Sequence, residues 1–179
     1  MARKTRRDWL EAGLDVLAKD GESGLTVDAL LAVMSVTKGS FYHHFRDRQE
    51  FVQLLLEYWE EKMTEEFIRI SNRENGPVDR LRKLTDLTVG RVNQKLEIAI
   101  RNWAGSDTVA RKYQAKVDKK RLAYCKQLCS EITADQSKAD VLGRLMFTVF
   151  VGSQQICPPI KGKALREMYG ELQKLYDQN

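Results

Sequence analysis

Thr26 to Phe45 constrain this chain more than any other segment. Val27, Leu30, Leu31 and Met34 recur at helical spacing and mark one buried face. Val36 follows in a turn. Phe41 and Phe45 stand four apart and share a face, so both can reach the same small core. Thr26 and Thr37 each sit where an N-cap is wanted, with a hydroxyl for the first free amides. The pattern predicts two short helices joined by a tight turn, the second beginning near Thr37.

Such a pair is the sequence form of a helix-turn-helix, whose second helix enters the DNA major groove. Between its two phenylalanines and their flanks the second helix keeps Lys38, Gly39, Ser40, Tyr42, His43 and His44 for its outer surface. These are small, basic or aromatic-polar residues, suited to phosphates and base edges. Each has a plainer alternative. Lys38 reaches phosphate or guanine, or is a solvated lysine. Gly39 lets the backbone approach the duplex, or is only a weak helix residue, costing about 1 kcal/mol against alanine. Tyr42 offers its hydroxyl to phosphate or packs partly into the core. His43 and His44 are the only histidines. Adjacent helix positions diverge, so they are no metal pair; one is expected at DNA and the other in local packing. Thr26, Thr37 and Arg48 complete the candidate contact surface. Arg3, Lys4, Arg6 and Arg7 form a basic N-terminal arm, for the minor groove or as a solubilising tail.

Residues 3–50 resemble the DNA-binding domain of the TetR family of bacterial one-component repressors. The resemblance rests on Thr26, on the run Val36 to Phe45, and on the basic-acidic segment Arg46 to Phe51. It implies an all-α homodimer of about nine helices. An N-terminal three-helix DNA reader would occupy 1–50 and a helical effector-binding and dimerisation domain 51–179. It also implies that Tyr42 contacts phosphate and that Arg48 takes the place of a family lysine. Two positions depart from the pattern. Ser35 stands where glycine is usual in the turn, and is strained if the backbone there needs positive φ. Leu31 stands where a small residue lets the two helices approach.

The remaining sequence is consistent with this. Only three prolines interrupt 179 residues, Pro77 and Pro158-Pro159, which suits long helices. Predicted helices cover Arg3–Lys19 with an end at Asp20-Gly21, Asp47 to about Ser71 with Glu50 as capping-box partner, Val78–Val92, Lys95–Trp103, Asp107–Ile132, Ser137–Ile156 and Gly162–Asp177. No apolar run is long enough to span a membrane and no leader is visible, so the expectation is a cytoplasmic protein. The net charge of +5 is no argument for DNA binding: residues 1–50 hold eight basic and eight acidic side chains. Placement of the charge matters more than its sum. No Ser/His/Asp pattern, phosphate-binding glycine loop or HExxH appears, so no enzyme is expected. No cofactor or metal is expected either, since three cysteines and two histidines lack zinc spacing.

Ser137–Ile156 is apolar on most sides, which predicts burial on most sides. With the final helix, and in line with the resemblance, it suggests a homodimer interface through Val141, Leu145, Val149, Leu165, Met168 and Leu172, against the alternative of ordinary core. An effector site is expected on the central helices, with Tyr58, Phe67, Leu87, Ile100, Trp103, Tyr113, Tyr124, Phe147 and Gln154 as candidates; core packing is the alternative for each. An apolar pocket suits a hydrophobic or aromatic compound, while Arg101, Arg111, Lys112 and Arg121 leave an anion open. The expected partners are a double-stranded DNA operator, a second copy and an unidentified small-molecule effector, with no membrane. The expected function is a repressor released from a palindromic operator by that effector. The alternative is a DNA-binding dimer controlled by a protein partner or by cysteine oxidation, for which Cys125 and Cys129, four apart on one helix face, are the candidates.

Overall fold

The computed structural model describes residues 4–175. Among them every regular element is helical. We label the helices α1 (Arg6–Gly24), α2 (Val27–Met34), α3 (Lys38–His44), α4, α5 (Pro77–Arg91), α6 (Gln94–Ser106), α7 (Thr108–Ile132), α8 (Gln136–Gln155) and α9 (Gly162–Lys174). Helix α4 runs in three consecutive pieces: Arg48–Glu60, a π-helical turn Glu61–Glu65, and Glu66–Ser71. The chain is thus all-α, with nine helices among the described residues.

Local chemistry sets the boundaries. Helix α1 begins at Arg6, later than the sequence pattern predicts, because Thr5 caps it. The Thr5 hydroxyl accepts from the Asp8 amide (3.2 Å) and the Asp8 carboxylate accepts from the Thr5 amide (2.7 Å), a reciprocal capping box. The predicted break at Asp20-Gly21 is present as Gly21, with φ 71° inside the helical assignment. Asp47 caps α4 by accepting from the Glu50 amide (2.8 Å). The Glu50 carboxylate reaches one residue further back than a capping box requires, to the Arg46 amide (2.6 Å). Asn93 caps α6 through the Leu96 amide (3.2 Å), and Pro77 opens α5, where its missing N–H costs nothing.

The chain forms two compact units. The first holds α1, α2, α3 and α4 as far as Glu61, together with Asn93–Ala115. Its core includes Trp9, Leu17, Leu30, Phe41, Phe45, Phe51, Leu55 and Trp59, all buried. Helices α1 and α4 approach closely at Gly13, where a Cβ would lie 2.7 Å from the Phe51 ring. The buried Trp59 indole donates to the Glu97 carboxylate (2.9 Å), which satisfies an acid that is only 2% exposed.

The second unit holds Lys62–Val92 and the chain from Lys116 onward. Leu81, Leu128, Cys129, Ala139, Leu142, Met146, Leu165 and Tyr169 form its core. Helices α7 and α8 meet at Gly143, where a Cβ would fall 2.7 Å from the Lys126 Cα. The π-helical turn of α4 is held from α7: Lys120 pairs with Glu65, while Arg121 donates to the Thr64 hydroxyl (2.9 Å) and the Met63 carbonyl (3.2 Å).

Candidate nucleic-acid interface and effector cavity

Helix α3 is seven residues long, too short to hold itself together in water. Its stability comes from the face it buries. Phe41 and Phe45 are 0% and 1% exposed and sit among Trp9 and Phe51. The centroid distances are 5.5 Å for Trp9–Phe41, 5.1 Å for Phe41–Phe45 and 5.0 Å for Phe45–Phe51. The first and last of these are edge-to-face, a geometry that adds about 0.5–1.5 kcal/mol per pair beyond area burial. The aromatic cluster therefore fixes which face of α3 points out.

On that outer face Lys38, Gly39, Tyr42 and His43 are exposed and Ser40 is half-buried. Tyr42 is 50% exposed, its ring edge-on to Phe41 at 5.3 Å, so the hydroxyl end is free to meet a ligand while the ring is braced. His44 is half-buried, its ring 6.4 Å from Trp9. The turn before α3 puts Ser35 in the left-handed region, φ 53° and ψ 49°, as the sequence departure there predicts. Leu31 is only half-buried.

The two threonines differ. Thr26 caps α2, its hydroxyl accepting from the Ala29 amide at 3.1 Å. Thr37 occupies the N-cap position of α3 but makes no side-chain cap bond, contrary to the sequence expectation. The Ser40 amide that the hydroxyl would take is already bonded to the Thr37 carbonyl (2.9 Å).

Among the basic candidates, Lys38 and Lys4 are exposed. Arg6 and Arg48 are turned onto the protein. Arg6 donates from Nη2 to the His44 carbonyl (2.6 Å). Arg48 donates to the Leu25 carbonyl (3.2 Å) and lies 3.6 Å from the Glu22 carboxylate. Arg3 lies outside the described residues.

The second unit contains a cavity of its own. Met63, Thr64, Phe67, Ile68, Leu84, Thr85, Thr88, Val92, Met146, Phe147 and Phe150 form an apolar and hydroxyl-bearing wall, joined by Arg121, Tyr124, Cys125 and Tyr169. Its volume is about 50 Å³, room for a few waters at ~10–15 Å³ each. Arg121 lies over the Phe150 ring, 5.2 Å from its centroid. Tyr124 donates to the Asn72 side chain (2.8 Å). Of the nine candidate effector residues this cavity gathers Phe67, Tyr124 and Phe147. Leu87 and Gln154 are buried in the same unit without lining it. The other four lie in the first unit: Ile100 and Trp103 are buried there, Tyr58 donates to Glu11 (2.7 Å) and Tyr113 to Glu57 (2.9 Å). Cavity residues that sequence reasoning missed, such as Met63, Thr64 and Thr88, sit in or beside elements whose facing partner no periodicity reveals.

Cys125 lines the cavity, and burial pushes its thiol up to about 12. Cys129 is fully buried. On the outside of this unit Val141 (53%), Leu145 (40%) and Met168 (36%) are exposed apolar side chains of α8 and α9. Val149 and Leu172 are partly buried against the core, and Leu165 is inside it at 2% exposure.

Residues 10–55 match the family model described as bacterial regulatory proteins, tetR family. The chain is 37% identical over 59 residues to the transcriptional regulator AcuR of Cereibacter sphaeroides, a match that spans 33% of this chain and only 27% of that protein. In fold it is similar to the reduced form of E. coli NemR, with a TM-score of 0.78 at 18% identity, covering 96% of this chain and 97% of that one. A TetR/AcrR family member described as a transcriptional regulator gives 0.80 at 18% identity, with 96% and 99% covered. A Saccharomonospora viridis protein solved in complex with choline gives 0.75 at 13% identity, with 97% and 96% covered.

Proposed function

We propose that this chain, whose residues 10–55 match the model of the tetR family of bacterial regulatory proteins, is a cytoplasmic, DNA-binding transcriptional regulator: a homodimer that represses from a palindromic operator and is released by a small molecule. The observation that carries this reading is the outer face of α3. Lys38, Gly39, Tyr42 and His43 are presented together on a helix whose orientation an aromatic cluster fixes. Thr37 supports it further, since its hydroxyl is not spent on capping. Two such readers about one DNA turn apart match a palindrome, and the exposed apolar side chains of α8 and α9 support a two-fold contact with a second copy.

The cavity supports the effector half of the reading. It is small as it stands, so a drug-sized compound must part its walls. A ligand that binds only the parted form shifts the population toward it, and it releases DNA if the DNA-binding form is the other one. Arg121 on the wall opposes a cation such as the choline of the Saccharomonospora viridis neighbour and favours a neutral or anionic compound with an apolar body. The burial that holds the Cys125 thiol protonated weighs against control by cysteine oxidation, because the thiolate is the reactive form.

The test is a footprint on the DNA upstream of its own gene, with Tyr42→Ala beside the wild type. The expected result is a protected palindrome, and about tenfold weaker binding by the variant with its dimer and melting temperature intact, the effect of one lost contact to charged phosphate. Equal affinity of the two proteins at fixed salt removes Tyr42 from the interface. No binding to any duplex at low salt overturns the reading.

A further inference from the structure

We propose that Arg6 is a positioning residue for the recognition helix α3, not a phosphate-neutralising one; this rests on the DNA-reading role given to α3 above. Arg6 is the first residue of α1, directly after the Thr5 cap. A cation there faces the positive end of its own helix dipole, where it is unfavourable. Its guanidinium goes instead to the opposite kind of helix end. Nη2 donates to the carbonyl of His44, the last residue of α3, at 2.6 Å. The last four carbonyls of a helix have no intrahelical donor. In a helix of seven residues these are most of its acceptors, so one strong donor at that end matters more than in a long helix. A cation is also favoured there by the dipole.

The same group is held by a second contact. The Arg6 Cζ lies 5.6 Å from the centroid of the Phe45 ring, and Phe45 is 1% exposed within the aromatic cluster. A planar guanidinium can donate in its plane while its face covers a ring; an ammonium cannot do both. Arg6 thus ties the end of α3 to the cluster beneath it, opposite the end where the Ser35 turn sets the entry of the chain. The angle at which Tyr42 and His43 are presented is fixed from both ends.

Arg6→Lys and Arg6→Gln in the full chain separate positioning from charge. Both substitutions are at an exposed position, and the melting temperature of each variant checks that the fold is kept. The readouts are the salt dependence of binding to a mixed-sequence DNA duplex and amide hydrogen exchange at Tyr42–Phe45 in the free protein. Positioning predicts that both variants bind about tenfold more weakly, the fold-change of a lost charge-assisted hydrogen bond. It predicts an unchanged slope of log affinity against log salt, and faster exchange in both. A phosphate contact predicts the reverse: Arg6→Lys matches the wild type, Arg6→Gln lowers the slope by about 0.9, and exchange is unchanged; that result overturns the proposal. If the wild type binds no duplex, the DNA reading falls by itself. Exchange then decides the clamp: acceleration in both variants upholds it, and no change overturns it.

Discussion

Ser35 is the one non-glycine residue with positive φ among the described residues, at 53°. An L-residue in the left-handed region costs roughly 1–2 kcal/mol, and glycine removes that cost while adding freedom to the unfolded chain. Ser35→Gly should therefore raise stability by about 1 kcal/mol, the usual scale for relieving such strain. A urea titration with an unchanged slope measures it; a lower midpoint would mean that the serine side chain compensates for its backbone. This strain was legible in the sequence through the resemblance, in which glycine is usual at this point of the turn. The hydrogen-bond partners of Arg6 and Arg48 were not. Sequence shows where a cation stands along a helix, but not that a carbonyl of His44 or Leu25 lies 38 or 23 residues away in the chain and within reach. Thr37 failed as a side-chain cap for an equally local reason, a competing backbone bond.

At the scale of the helix, acid caps make a pH-dependent prediction. Asp8 and Asp47 are both held below the ordinary carboxylate value of about 3.8, first by the amides they accept from, Thr5 for Asp8 and Glu50 for Asp47. A carboxyl depressed in the folded state stabilises fully above its unfolded value, and that contribution is lost as pH falls through the folded one. The first turns of α1 and α4 should fray below pH ~3.8, seen as faster amide exchange there. In Asp47→Ala the α4 start should already be frayed at neutral pH and lose less on acidification, the remaining loss coming from the Glu50 carboxylate on the Arg46 amide. A second prediction concerns helix contact. Gly143→Ala should destabilise by about 1–3 kcal/mol, the cost of overpacking, because its Cβ would meet the Lys126 backbone, which cannot swing aside. Urea unfolding measures this, and a neutral result would mean that α7 and α8 can separate without loss. Helix positions were readable from spacing and caps: the α5, α8 and α9 starts fall within one residue of expectation. What spacing cannot show is a surplus residue inside a helix, so the π-helical turn was invisible. Nor can it show which helix a given face meets, so Trp9 and Val16 went unmarked as core.

At the scale of the molecule, the candidate effector residues divided between two compact units, because aromatic content along a helix says nothing of which unit that stretch joins. The apolar stripe of the last two helices divided as well: Val141 and Leu145 stand outside the chain's own core, while Leu165, expected at the same interface, is inside it. Leu145→Lys should leave the monomer fold and its melting behaviour close to wild type, since the side chain is already 40% exposed, yet abolish the dimer in sedimentation. A dimer that survives the substitution sinks the interface. The π-helical turn Glu61–Glu65 has a consequence of its own. Closing i→i+5 rather than i→i+4 takes one more residue than the neighbouring turns use. That residue is slack, and α7 holds it in place through Lys120 on Glu65 and Arg121 on Met63 and Thr64. A turn with a residue to spare does not set its own register from its ladder alone, and here Arg121, bonded to two of its residues, sets it from outside.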